Sequence, residues 1–146
     1  MTAPARWPWP EALPEETAIP LRLAALKSGG TPLIVPLWYE WRDDAFWCVT
    51  HREARLLRRV RAHPLVGFDV STNEPPYAGV SGDGRVTVHG AEQAAAILPR
   101  LIDRYTGSRE HRLARWLLGR LDEEVALEIR PQHWRCWDFS RRMRDL

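Results

Sequence analysis

Thr31-Pro32-Leu33-Ile34-Val35-Pro36-Leu37-Trp38-Tyr39-Glu40-Trp41, then Arg42-Asp43-Asp44-Ala45, then Phe46-Trp47-Cys48-Val49-Thr50, is the stretch that decides the fold. Residues 31–41 are apolar and aromatic almost throughout. That composition suits a long strand with both faces covered. Pro36 lacks a backbone N–H, so it belongs at an edge, at a bulge or beside a ligand rather than against a paired neighbour. Asp43-Asp44 is the turn, and residues 46–49 return as the next strand.

Upstream, residues 19–26 read as an earlier strand, closed by Lys27-Ser28-Gly29-Gly30, a turn whose glycines permit positive φ. Before it, residues 1–18 form a proline-rich strap with five prolines up to Pro20, and Trp7 and Trp9 are expected to pin it to the body. Downstream the pattern changes. Thr50-His51-Arg52-Glu53 matches a capping box, and Leu56, Leu57 and Val60 follow at helical spacing, predicting a helix over 51–62. His63-Pro64 stops it, and Val66, Phe68 and Val70 alternate in a strand. Residues 71–76 are a loop. Ser81-Gly82-Asp83-Gly84 reads as a tight reversal before Val86 and Val88.

Gly90 opens a second helix with a full apolar stripe (Ala94, Ile97, Leu98, Leu101, Ile102, Tyr105), which Pro99 should kink or split. Gly107 ends it. Ser108 is expected to cap a third helix carrying Leu113, Trp116 and Leu117, closed by Gly119. Val125, Leu127 and Ile129 alternate in a last strand ended by Pro131, with 134–139 as a final edge segment. Hairpin-linked strands with helices inserted between them make an antiparallel α+β domain, and its many short strands favour a barrel. Residues 19–146 form that one domain.

The chain has 146 residues, of which 45% are hydrophobic and 27% charged, the balance of an ordinary globular protein. No apolar run reaches the roughly 18–20 residues that span a bilayer, and the N-terminus lacks the pattern of a secretory signal. Two cysteines, Cys48 and Cys136, make no disulfide framework, and with no export signal the expected location is the cytoplasm. A net charge of +2 announces no nucleic-acid partner. Yet of 21 basic residues only Lys27 is lysine. Arginine suits planar recognition of phosphate and carboxylate, although a genome-wide bias towards arginine gives the same count.

The histidines show no metal-binding spacing, Ser81 lacks the nucleophile-elbow context, and the nucleotide-binding glycine motifs are absent. One constellation remains. Arg52, Arg55 and Arg59 lie at i, i+3 and i+7 on the helix beginning near His51, where unsatisfied amides and the positive end of the dipole gather. They form either a phosphate seat or a solvated basic face.

The segment from Thr31 to Thr50, the basic helix ending in His63-Pro64, and Val66-Gly67-Phe68-Asp69-Val70 together resemble the pyridoxamine 5'-phosphate oxidase-like split-barrel flavoproteins. Tyr77-Ala78-Gly79-Val80, Gly84-Arg85-Val86-Thr87-Val88, Arg104-Tyr105-Thr106-Gly107, Ile129-Arg130-Pro131 and Trp137-Asp138-Phe139 continue the match over most of residues 19–139. The resemblance implies an antiparallel split β-barrel with short inserted helices, and a homodimer holding FMN, or alternatively the 5-deazaflavin coenzyme F-420, between subunits. It assigns the ring to the backbone of Ile34, Val35, Pro36, Leu37 and Trp38. It assigns the phosphate to Thr50 and Arg55, and His51 and Arg52 at the start of the basic helix complete the candidate cofactor-binding set. The implied activity is hydride or electron transfer to a small molecule.

The chain departs from the oxidase proper in several places. Ile34 and Tyr39 stand where that enzyme has Arg and Lys, Leu56 stands for a Lys, Gly79 stands for a Gln, and the C-terminal Arg-x-His motif is missing. Oxidation of vitamin B6 phosphates is not implied. Two other readings stay open: a cofactor-binding protein without turnover, and a small-barrel nucleic-acid binder using the arginine-rich helix, which the near-neutral charge disfavours. Apolar surface on Trp38, Tyr39, Trp41 and the Trp-rich C-terminus is the further reason to expect a dimer.

Overall fold

The computed structural model describes Pro10 and residues 13–144; Trp7 and Trp9 lie outside the described residues. Seven strands form one antiparallel sheet: β1 (Leu21–Leu26), β2 (Pro32–Leu37), β3 (Glu40–Arg42), β4 (Ala45–His51), β5 (Leu65–Ser71), β6 (Ala78–His89) and β7 (Glu124–Asp138). Three helices are inserted: α1 (Arg55–Ala62), α2 (Ala91–Thr106) and α3 (Arg112–Leu118).

The strand order is β2-β1-β5-β6-β7-β4-β3, so β2 and β3 are the two edges. Only Trp38 and Tyr39 separate the end of β2 from the start of β3. Three residue steps span at most about 10 Å. The two edges are therefore neighbours in space, and the sheet curls almost into a barrel that stays split along that seam. The strand foreseen over 31–41 is in fact these two edge strands, broken at Trp38-Tyr39. Its faces are not both covered: Ile34 is 64% exposed. Pro36 does sit on an edge strand, opposite Arg22 of β1.

The inside of the curl is the core. Leu21, Leu23, Phe46, Cys48, Phe68, Val80, Leu127 and Ile129 alternate inward from five strands, and α1 closes one end with Leu56, Leu57 and Val60. Full burial of such side chains is worth roughly 1.5–3 kcal/mol each against the unfolded chain. On the outer face, α2 covers β4 and β7 by packing Ala94, Ile97 and Leu101 against Trp47 and Ala126. Pro99 does not split α2, because the stripe is buried on both sides of it. Gly107 ends the helix in the left-handed conformation at φ 74°.

Two turns follow from local sequence. Gly30 takes φ 87° in the β1–β2 turn, and Asp43 and Asp44 both take positive φ in the two-residue β3–β4 turn, the geometry that matches strand twist.

The expected reversal at Ser81–Gly84 does not exist. β6 runs straight through it, and the glycines serve close approach to β7 instead. A Cβ on Gly82 would lie 2.0 Å from the His133 carbonyl oxygen, and one on Gly84 2.6 Å from that of Arg130. The pairing slips at Asp83/Gly84, leaving Gln132 as the extra residue of a bulge. Pro131 accordingly does not end β7. Pairing with β4 stops at Ile129, so the missing amide of Pro131 costs no ladder bond on that side. Residues 134–138 are not a separate strand but continue β7 alongside β6, and with β4 ending its pairing at Ile129 they do lie at an edge.

The cap of α3 is His111, whose ring accepts from the Leu113 amide, whereas Ser108 Oγ accepts from Glu110. Ala114, not Leu113 or Trp116, is its buried residue, and the latter two are 40% and 58% exposed.

The described part of the N-terminal segment is tied to the body by Leu13 and by α2. Leu13 is buried, and Arg104 of α2 donates to the carbonyls of Glu15 and Thr17 at 2.9 and 2.8 Å. Its guanidinium lies 4.9 Å from the Tyr39 ring centre. Tyr105 Oη donates to the Ile19 carbonyl and accepts from the Tyr39 amide. Among the described residues, no helix is long and apolar enough to cross a membrane.

Candidate cofactor site

β2 offers a ligand one rim of backbone without a strand neighbour. Along it, Val35 and Leu37 turn onto the core while Ile34 and Pro36 turn outward. Trp38 follows, its indole stacked on Tyr105 at 5.1 Å with 3° between planes. Tyr39 is 1% exposed and packs edge-on against Phe46. It is a core residue, and burial, only partly opposed by Arg104, pushes its phenol pKa up. Burial likewise raises the Cys48 thiol, which is no poised nucleophile.

The entry into α1 differs from the expected capping box. β4 continues to His51, so Thr50 pairs with Val125 and His51 with Glu124. A full strand register with β7 outcompetes a single cap bond for these two residues. The chain then turns: Arg52 donates its amide to the Glu123 carbonyl, and the Glu53 amide donates to His51 Nδ1. His51 Nε2 faces Glu123 at 3.6 Å. The helix starts at Arg55 behind Ala54, with no side-chain cap. Arg52 therefore precedes the helix and is not part of its basic stripe.

Arg55 does reach a cavity. With Arg58 and Arg59 it lines a cleft of about 280 Å³, opposite Lys27 and Ser28 of the β1–β2 turn and beside Leu33 of β2. Thr50, His51 and Arg52 are not in its lining. Among the described residues, none of these four cations lies within ion-pair distance of a carboxylate. Four cations around one concavity, without a carboxylate partner among the described residues, have the chemistry to receive an anion. Sequence reasoning missed Lys27, Ser28 and Arg58. Arg58 was within reach of it, one turn beyond Arg55, whereas the turn residues come close only through the fold.

A second cavity begins at the far end of β2, where Pro36, Leu37 and Trp38 face Val49 of β4 and Leu98 and Leu101 of α2. The two cavities thus border the same edge strand, at Leu33 and at residues 36–38. Among the described residues no group of three or more His, Cys, Asp or Glu is placed to hold a metal.

Gly79 has its own physical reason. A Cβ there would lie 2.8 Å from the Trp137 ring and 2.7 Å from the Val70 carbonyl oxygen, so the glutamine of the oxidase pattern does not fit.

An open, curled antiparallel sheet with a helix sealing its core is a split-barrel fold. Solved structures bear this out. An F420 reductase superposes with a TM-score of 0.69 at 22% identity, over 83% of this chain and 92% of the other. A conserved hypothetical protein from Mycobacterium tuberculosis gives 0.72 at 21% identity, over 84% and 79%. A pyridoxamine 5'-phosphate oxidase candidate from Listeria innocua gives 0.60 at 15% identity, over 80% and 86%. No protein-family model matches the sequence, and no curated protein matches it.

Proposed function

We propose that this protein binds FMN or the deazaflavin coenzyme F-420 and works as an oxidoreductase on a small molecule. The ring would lie along the backbone of Ile34, Val35, Pro36, Leu37 and Trp38, and the phosphate in the cleft of Arg55. Thr50, His51 and Arg52 belong to the chain that leads into this cleft. The observation that carries the reading is the set of four cations without acidic partners beside the edge strand. Their chemistry fits a phosphate: Arg55, Arg58 and Arg59 offer planar donor forks and Lys27 a point charge. When bound, the ring supplies the hydride or electron transfer. The protein binds and orients. Leu33 gives the cleft an apolar side, and the Trp38 indole is held by Tyr105 rather than free to fill the ring's place.

A homodimer is part of the same reading, but its support has moved. Trp38, Tyr39 and Trp41 pack within the chain. The open apolar surface is instead the outer face of β2, β1 and β5. There Ile34, Leu26 and Leu65 are 64%, 40% and 51% exposed, around the small residues Ala24 and Gly67. Exposed apolar side chains around small residues, with Arg22 and Asp69 paired across β1 and β5 on the same face, suit a two-fold partner. Light scattering at micromolar concentration should give twice the chain mass, and a monomer would remove this part.

A reading without turnover has one observation in its favour. Ile34 and the buried Tyr39, neither able to move a proton to the ring, occupy the positions of the oxidase cations. Titration of the protein with FMN and with F-420, followed by turnover of the loaded protein with reduced nicotinamide or with reduced F-420, tests both readings. Failure to bind either cofactor would end the proposal; binding without turnover would select the second reading.

A further inference from the structure

We propose that the pocket between α2, α3 and the outer face of β4 binds a small molecule made of an apolar body and a protonated amine, the amine meeting Glu124. This goes beyond the cofactor reading and does not use the Arg55 cleft, while Pro36, Leu37 and Trp38, on whose backbone the ring is proposed to lie, also border the pocket.

Glu124 is the buried charged residue of the described chain, 5% exposed, at the start of β7. It forms part of the wall of a pocket of about 280 Å³ that is otherwise apolar. Leu98 and Leu101 of α2, Leu117 of α3 and Val49 of β4 supply the walls, and the 40% exposed Leu113 stands at the mouth. A desolvated carboxylate needs a counter-charge with good hydrogen bonds.

Arg120 supplies this only in part. Its Nε lies 3.2 Å from Glu124 and 3.7 Å from Glu123, so one guanidinium faces two carboxylates. The same Nε is buried and makes no well-aligned hydrogen bond. The guanidinium is drawn to the Trp116 ring, 4.2 Å from its centre. Glu123 and Glu124 thus share the single guanidinium of Arg120, and no cation lines the pocket. An ammonium group brings a second cation to the two carboxylates and donates to the Glu124 oxygens. An anion is repelled, and a purely apolar molecule leaves the carboxylate unmatched. The volume sits at the small end for ligand pockets, which fits a single ring with a short amine arm.

Benzylamine, benzyl alcohol and benzoate, titrated into the intact protein while Trp fluorescence is read, provide the test. Benzylamine should bind at least about tenfold more tightly than benzyl alcohol, and benzoate should not bind. Glu124→Gln, nearly the same shape, should bring amine and alcohol to equal affinity. Because a buried substitution can cost folding, Leu113→Arg at the open mouth is the second variant. It should weaken benzylamine about tenfold and leave benzyl alcohol nearly unchanged. No benzylamine binding, equal binding of amine and alcohol by the parent protein, or an amine preference that survives both substitutions would each overturn the proposal.

Discussion

The arginines of α2 and β7 and the arginines of α1 are one residue type in two opposite states. Arg100 makes three hydrogen bonds to the Glu40 carboxylate and ties α2 to the edge strand β3. Arg130 holds Glu128 and the Asp43 carbonyl, and Arg104 holds the N-terminal segment. Arg55, Arg58 and Arg59 make no ion pair with the described residues and line the cleft instead. In a protein with 20 arginines, abundance says little about purpose. The state of each partner says more: a satisfied guanidinium is part of the scaffold, and an unsatisfied one turned into a cavity is available to a ligand.

Four measurements break or sharpen that contrast. The largest effect is expected at Arg104, whose truncation frees two carbonyls and removes a cation from between two rings. Arg104→Ala should lower stability by about 2–3 kcal/mol in urea unfolding. A midpoint equal to that of the parent would place Arg104 with the idle arginines.

Arg55→Ala should do the reverse, leaving the urea midpoint in place while weakening FMN or F-420 by about 10- to 150-fold, the worth of one charge-assisted contact. Arg61→Ala, on the same helix but outside the cleft, should leave affinity unchanged. If both variants bind alike, the cleft is only a solvated basic face.

A smaller effect concerns acid. Burial alone would raise the Glu128 pKa, but hydrogen bonds from His89 and Arg130 outweigh it and hold the carboxyl below its usual 4.5. The unfolded chain then takes up this proton more readily than the folded one. The stabilisation is full above about pH 4.5 and is lost as the pH falls through the lower folded value. Unfolding midpoints from about pH 6 to pH 3 should therefore fall less steeply for Glu128→Gln than for the parent. Identical slopes would show that the Arg130 pair carries no stability.

The smallest effect is expected at Arg109, paired with Asp103 at 2.9 Å with both side chains about half exposed to water. Arg109→Ala should shift neither midpoint nor affinity measurably, since solvent screens such a pair. A clear loss would show that pairing alone, without burial, is enough to make an arginine structural.

The sequence revealed the features whose causes are local. The Gly30 and Asp43-Asp44 turns, the apolar stripe of α2 and the inward alternation of Leu127 and Ile129 each rest on a few neighbouring residues. It misread the places where a distant strand decides. Thr50 has every mark of a cap, yet Val125, far along the chain, claims it for the sheet. Ser81-Gly82-Asp83-Gly84 has every mark of a turn, yet its glycines make room for the His133 and Arg130 carbonyls. The site divides in the same way. Arg55 was legible from helical spacing and from the family resemblance, whereas Lys27 and Ser28 join it only because the β1–β2 turn packs near α1.

The seam between β2 and β3 has a consequence for how the chain is made. Apart from the short hairpin with β3, β4 has one partner, β7, which is the last strand to be synthesised. A chain emerging from a ribosome can pair β1 with β2 and β5 with β6 at once, but the Phe46–Cys48 segment must wait, apolar and unpaired on one side, until residue 129 and beyond are free. Folding is thus gated by the C-terminal end, a non-local closure of the slow kind. Until then the waiting strand is the surface most exposed to wrong pairing and to capture by chaperones.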